Sequence, residues 1–213
     1  TGSGKTTFAK LLTRLVDPSS GTISLGRVRL DAVSFAQLRE VMLMVPQEGF
    51  LFDASLAENL RYGRPGASDE ERLGVINSLG LGDWFETLPH GLETQVGQRG
   101  ESLSAGERQL VALARSALVD PEILVLDEAT SAVDPQTELR ATRALENLLD
   151  QRTSVVIAHR LSTAEKSDRV LVFDAGHLVE DGHHDELVAA GGVYARLHAS
   201  WIAQSRLAAD TTD

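Results

Sequence analysis

The residues Thr1-Gly2-Ser3-Gly4-Lys5-Thr6-Thr7 constrain the fold more than any other stretch of the chain. Gly4-Lys5-Thr6 ends the pattern G-x-x-x-x-G-K-[ST], whose glycines let successive backbone N–H groups converge on phosphate oxygens. Lys5 brings a compact positive charge for β- and γ-phosphates, and the Thr6 hydroxyl can join Mg²⁺. A helix has to follow, so that its positive end faces the same anion; the sequence predicts one over residues 6–15. The first glycine of the pattern would lie two residues before Thr1, so the chain is expected to begin inside its own motif, as a fragment. Without a ligand, the same residues are a Gly/Ser-rich terminus ahead of a helix.

A second acidic site is written further on. Ile123-Leu124-Val125-Leu126 is a continuous apolar run closed by Asp127-Glu128. Such a run suits a central parallel strand buried on both faces, and ligands of α/β sheets bind beyond the carboxyl ends of strands. Asp127 can hold Mg²⁺, directly or through water, and Glu128 can orient and deprotonate a water. Alone, the pair would read as a strand ending in a solvated turn; with Lys5-Thr6 upstream the nucleotide reading prevails.

Short β-branched runs alternate with helical stretches, which predicts an α/β fold with a largely parallel sheet. Strands are expected at 22–25, 28–30, 41–45, 123–126, 154–158 and 170–173. Ser34/Gln37, Ser55/Glu58, Ser68/Glu71, Ser104/Glu107 and Ser162/Glu165 each read as a capping box at a helix start. Asp134-Pro135 reads as an N-cap followed by proline at the first helical position. Between Gln47 and Pro121 no buried strand is legible, so residues 47–120 are expected to form a helical lobe inserted into a core made of 1–46 and 121–213. A C-terminal helix is expected over 192–209, with Val193, Leu197, Trp201 and Ile202 on one face.

Composition narrows the function. The net charge of −11 gives no bulk attraction for nucleic acid or anionic lipid. No run approaches the ~20 apolar residues of a membrane span. The absence of cysteine excludes disulfides and thiolate metal sites.

At Leu103-Ser104-Ala105-Gly106-Glu107-Arg108-Gln109 the chain resembles the signature motif, usually LSGGQ, of ATP-binding cassette (ABC) ATPases. The other family elements follow in order around it. Gln47 resembles the Q-loop glutamine, Ser131-Ala132-Val133-Asp134 the D-loop, and His159 the switch histidine. Thr94-Gln95-Val96-Gly97-Gln98-Arg99-Gly100 resembles the X-loop of ABC exporters, usually TEVGERG, and Phe50-Leu51-Phe52 and Ser55 to Leu60 are exporter-like. The fold implied is a P-loop NTPase with a RecA-like core and an inserted α-helical subdomain.

The resemblance also implies a mechanism. Two cassettes close head to tail around two ATPs and drive export through a transmembrane domain, expected to be fused upstream, at the cytoplasmic face of the plasma (inner) membrane. Gly2, Ser3, Gly4, Lys5, Thr6 and Thr7 are expected to cradle phosphate. Thr6, Gln47 and Asp127 would surround Mg²⁺, Glu128 would serve as general base, and His159 would contact the γ-phosphate. Ser104 and Gly106 would touch the partner's nucleotide, and Asp134 would communicate across the dimer while capping its own helix. Competing readings are a soluble ABC ATPase acting on DNA or ribosomes, whose coiled-coil insertion or second cassette is not seen here, and a module that binds nucleotide without turnover.

The signature departs from the family pattern at Ala105 and Glu107. Glu107 would put a negative charge near polyphosphate unless it folds back onto its own helix. The asymmetry resembles one half of a heterodimeric exporter with one strong and one weak site, preferred over a homodimer that tolerates LSAGE. His183-His184-Asp185 could suggest a metal pair, but the flanking residues read as a turn into a surface helix. His90, His177 and His198 have no partner visible in the sequence, and Trp84 and Trp201 read as packing residues.

Overall fold

The computed structural model describes residues 3–45, 49–127, 134–158 and 161–210, with only the backbone of Ser162 and of 204–210. These residues fall into two compact units, Leu11–Val155 and a second made of Thr1–Lys10 with Val156–Asp213.

In the larger unit, β3 (Met42–Val45) and β4 (Ile123–Asp127) pair in parallel, Met42 opposite Ile123 and Val45 opposite Leu126. β5 (Thr153–Ile157), which runs on into the smaller unit, completes the order β3-β4-β5. Leu124 and Val125 are fully buried, as a strand covered on both faces requires. The short strands β1 (Ser24–Leu25) and β2 (Val28–Arg29) make an antiparallel ribbon. It leads to α2 (Phe35–Val41), whose Ser34 cap is reciprocated by Gln37.

Among the described residues between β3 and β4 there are helices, turns and an isolated bridge, Ser55 to Gln95, but no named strand. Here α3 (Leu56–Arg61), α4 (Asp69–Ser78) and α5 (Gly82–Glu86) precede the long α6 (Ala105–Val119). The sequence starts α3, α4 and α6 with Ser55/Glu58, Ser68/Glu71 and Ser104/Glu107, and each forms a two-way capping box. Reciprocal bonds of this kind satisfy two amides that a helix start otherwise leaves without partners. Leu56, Leu60, Ile76, Leu81, Leu110 and Leu113 form much of the core of this part, each no more than 1% exposed. After β4, α7 (Pro135–Leu149) packs on α6 and buries Ala141, Ala144 and Leu148.

The smaller unit holds most of α1 (Lys5–Leu12), then α8 (Leu161–Glu165), β6 (Val170–Asp174), β7 (His177–Gly182), α9 (His184–Ala189) and α10 (Val193–Asp210). Three findings here differ from the sequence reading. β7 pairs antiparallel with β6, Asp174 opposite His177. It escaped because its residues are mostly exposed and carry no apolar alternation. Ser162 lies inside α8 rather than capping it, and the Glu165 carboxylate sits instead 3.4 Å from His198 Nε2. The inward face of α10 is centred on Tyr194, 3% exposed, whereas Leu197 is 45% exposed. Tyr194 packs with Ala164, Val172 and Leu187 in the core of this unit.

Candidate functional site

The phosphate-type loop is built against a hairpin. Gly4 has φ +97°, open to glycine but costly for other residues, and a Cβ there would come within 3.2 Å of the Gly176 Cα. Gly176 occupies the β6–β7 turn with Ala175, both at positive φ, and its N–H donates to the Ser3 carbonyl at 3.1 Å. Phe8 of α1 lies against Phe173 of β6 with ring centroids 5.0 Å apart. The turn therefore supports the loop from behind while α1 starts at Lys5. The Lys5 ammonium donates to the Ser3 hydroxyl at 2.7 Å, and Thr6 and Thr7 are exposed in the first helical turn. First-turn amides have no acceptor within their own helix, so the loop offers an anion both N–H groups and a nearby cation.

Asp127 ends β4, half-buried, at the carboxyl end of the sheet strand where the sequence put it. Asp134 caps α7: one carboxylate oxygen accepts from the Thr137 N–H at 2.9 Å and the Thr137 hydroxyl at 2.7 Å, the other from the Gln136 N–H at 3.3 Å. The Thr137 hydroxyl, then the Thr137 and Gln136 amides, hold the Asp134 carboxyl below its ordinary pKa. Gly2, Gln47, Glu128 and His159, with Ser131-Ala132-Val133, lie outside the described residues.

The signature segment starts α6. Ser104, exposed, accepts from the Glu107 N–H at 3.2 Å, and Glu107 Oε2 accepts from the Ser104 N–H at 2.8 Å. The other carboxylate oxygen, Oε1, accepts from the Trp84 indole at 3.0 Å. Glu107 has thus folded back onto its own helix start, and its carboxylate stays beside Ser104. Partial burial pushes the Glu107 carboxyl up. The Ser104 amide, the Trp84 indole, the Ser104 hydroxyl and the Arg140 charge together outweigh that and leave it below its ordinary value. Ala105 is exposed and Gly106 is buried. Trp84, read from sequence as packing alone, is buried and also a hydrogen-bond donor. Nothing in the spacing of two residues 23 apart signalled this pair.

Residues 94–100 tie together the helical stretch between β3 and β4. The Thr94 carbonyl accepts from the Leu56 N–H at 2.9 Å, and the Val96 N–H donates to the Ala54 carbonyl at 3.1 Å. Gly100, at φ +75°, leaves no room for a Cβ beside Arg108, whose guanidinium in turn bonds the Leu103 carbonyl at 2.8 Å. Nearby, the Arg115 side chain bonds the carbonyls of Asn59 and Phe50 and the Asn59 side chain. Buried Asn59 bonds both the N–H and the carbonyl of Phe52. These bonds fix an outward-facing aromatic group in which Phe52 stacks on Tyr62 at 4.2 Å.

The chain is similar to known proteins along most of its length. The family model described as ABC transporter matches residues 1–131. The uncharacterized ABC transporter ATP-binding protein YknV of Bacillus subtilis is 46% identical over 197 residues, 92% of this chain and 33% of that protein. An ATP-dependent lipid A-core flippase of Chromobacterium violaceum is 46% identical over 198 residues, 93% of this chain and 34% of that protein. The β-(1→2)glucan export ATP-binding/permease protein NdvA of Rhodopseudomonas palustris is 47% identical over 198 residues, 92% of this chain and 33% of that protein. A bacterial Atm1-family ABC exporter solved with ATP bound superposes with TM-score 0.85 at 40% identity, over 94% of this chain and 35% of that one. The chain spans about a third of the length of these relatives. It belongs to the ABC transporter family, as an ATP-binding cassette with the P-loop NTPase fold.

Proposed function

We propose that this cassette binds Mg–ATP and hydrolyses it at a head-to-tail pair of cassettes, driving export through a transmembrane domain at the cytoplasmic face of the membrane. The observation that carries the reading is the start of α1. Gly4 at φ +97° is backed by the Gly176 turn, with Lys5 and exposed Thr6 and Thr7 in the turn that follows. The similarity to exporters with flippase, glucan-export and Atm1-family descriptions supports the direction of transport.

Gly2, Ser3, Gly4, Lys5, Thr6 and Thr7 cradle phosphate, and Thr6, Gln47 and Asp127 supply oxygens to Mg²⁺. Bound there, the ion would neutralise charge on the phosphate oxygens. Glu128 takes the proton of the attacking water, and His159 holds the γ-phosphate. No covalent enzyme intermediate is involved, because positioning and electrostatics suffice for transfer to water. Residues 47–120 act as the helical subdomain, and 1–46 with 121–213 as the core.

Ser104 and Gly106 complete the partner's site. Glu107 is turned onto Ser104 and Trp84, which screens its charge without taking it away from Ser104, and Ala105 keeps its added methyl group. The departures at Ala105 and Glu107 favour an unlike second cassette over a second copy of this one. The purified intact protein tests both points. Glu128→Gln should retain nucleotide binding and lose turnover by at least about 100-fold, and Lys5→Ala should lose both. Unchanged turnover in Glu128→Gln would remove that residue as the base. Isolation of the native complex with two identical cassettes would overturn the heterodimer.

A further inference from the structure

Glu165, His184 and His198 sit on three different helices, α8, α9 and α10, yet one ligand atom of each lies within 4.8 Å of the others. His198 Nε2 is 3.4 Å from Glu165 Oε1, and the two imidazoles are 5.1 Å apart between centroids. His184 Nδ1 is 2.7 Å from the hydroxyl of Tyr194, which is buried against the core of this unit. None of these residues belongs to the nucleotide motifs. Glu165, expected to cap its own helix, is turned toward His198 instead.

We propose that Glu165, His184 and His198 form a binding site for a divalent transition metal, with Zn²⁺ the best match. Two imidazole nitrogens and one carboxylate oxygen are a zinc donor set, with water in the fourth position. The hard Mg²⁺ used with nucleotide prefers oxygen ligands and does not compete well here. Zinc bonds of ~2.0–2.2 Å call for ligand atoms little more than 3 Å apart, so the cluster has to tighten by an ångström or so. Side-chain rotation can supply this, since Glu165 is exposed and both histidines are half-buried.

Tyr194 provides what a metal-bound histidine needs behind it. If His184 Nδ1–H donates to the Tyr194 oxygen, Nε2 carries the lone pair for the metal and the ring orientation is fixed. Tyr194 and His198 are four residues apart on α10, hence on one face of that helix. The metal would therefore clamp α10 to α8 and α9. Without a metal, the same cluster is a His198–Glu165 contact beside a His184–Tyr194 hydrogen bond, and the two cases differ in measurable uptake.

The test uses the purified intact protein, stripped with chelator, free of nucleotide and held in excess Mg²⁺. Zn²⁺ is titrated in competition with a chromophoric chelator, and Co²⁺ serves as the spectroscopic replacement. The expected result is about one strong equivalent per chain, with a four-coordinate Co²⁺ spectrum. His184→Gln and His198→Gln should each abolish that equivalent, and Tyr194→Phe should weaken it by about 10- to 100-fold. Glu165→Gln, on an exposed side chain, should weaken uptake while leaving far- and near-UV circular dichroism unchanged. Equal uptake by wild type and by the His184→Gln/His198→Gln protein, or no strong uptake by wild type, overturns the proposal. ATP hydrolysis plays no part in this readout, so its outcome is separate from that of the nucleotide assignment.

Discussion

The indole of Trp84 donates to the Glu107 carboxylate at 3.0 Å, joining α5 to the first turn of α6. The same carboxylate caps that turn through Ser104, so the second oxygen of a local capping box carries a long-range bond. Glu107, a departure from the LSGGQ pattern, thereby ties α5 to α6.

Trp84→Phe keeps most of the buried ring and removes the donor. It should cost about 1–2 kcal/mol, read from the urea midpoint. The pH dependence has a definite sign. Glu107 is held below its ordinary value of 4.5, so its contribution to stability is complete above that value. It is lost as pH falls through the lower folded-state value. Trp84→Phe should move the Glu107 titration, followed by carboxyl NMR, up toward the ordinary value. An unmoved titration would show that the indole bond does not hold the charge.

Gly49 and Gly63 let two loops lie directly on the backbone of α6. A Cβ on Gly49 would stand 2.4 Å from the Arg108 carbonyl oxygen, and one on Gly63 2.4 Å from that of Arg115. Gly49→Ala and Gly63→Ala should therefore each destabilise by about 1–3 kcal/mol. Gly66, where a Cβ meets nothing within 4 Å, is the internal control. Gly66→Ala should stay within about 0.5 kcal/mol. Equal midpoints for all three variants would mean that the loops yield freely.

Glu180 of β7 caps a helix that follows it by more than ten residues. Its two carboxylate oxygens accept from the Val193 N–H at 2.6 Å and the Tyr194 N–H at 2.7 Å. Glu180→Ala should cost about 1–2 kcal/mol and lower hydrogen-exchange protection at the start of α10 first. Glu180→Gln, which keeps one carbonyl acceptor, should fall between. Gly192→Ala should mimic the loss, because its Cβ would collide with that carboxylate. Protection unchanged in α10 would reject this cap.

The sequence by itself determined the features whose partners are a turn apart. Capping boxes at Ser34, Ser55, Ser68 and Ser104, the Asp134-Pro135 helix start and the apolar strand ahead of Asp127 were all legible, because residues three apart meet in any helix start and a doubly buried strand must be apolar throughout. Ser162/Glu165 has the same spacing, and there tertiary structure decided otherwise. The helix includes Ser162, and Glu165 answers to His198 from another helix. β7 was likewise settled by its antiparallel partner β6 rather than by its own exposed residues. Only the packed chain joins Trp84 to Glu107, Glu180 to α10, and Glu165 to His184 and His198. Side chains far apart in sequence meet where the core brings their helices together, and no local spacing encodes that meeting.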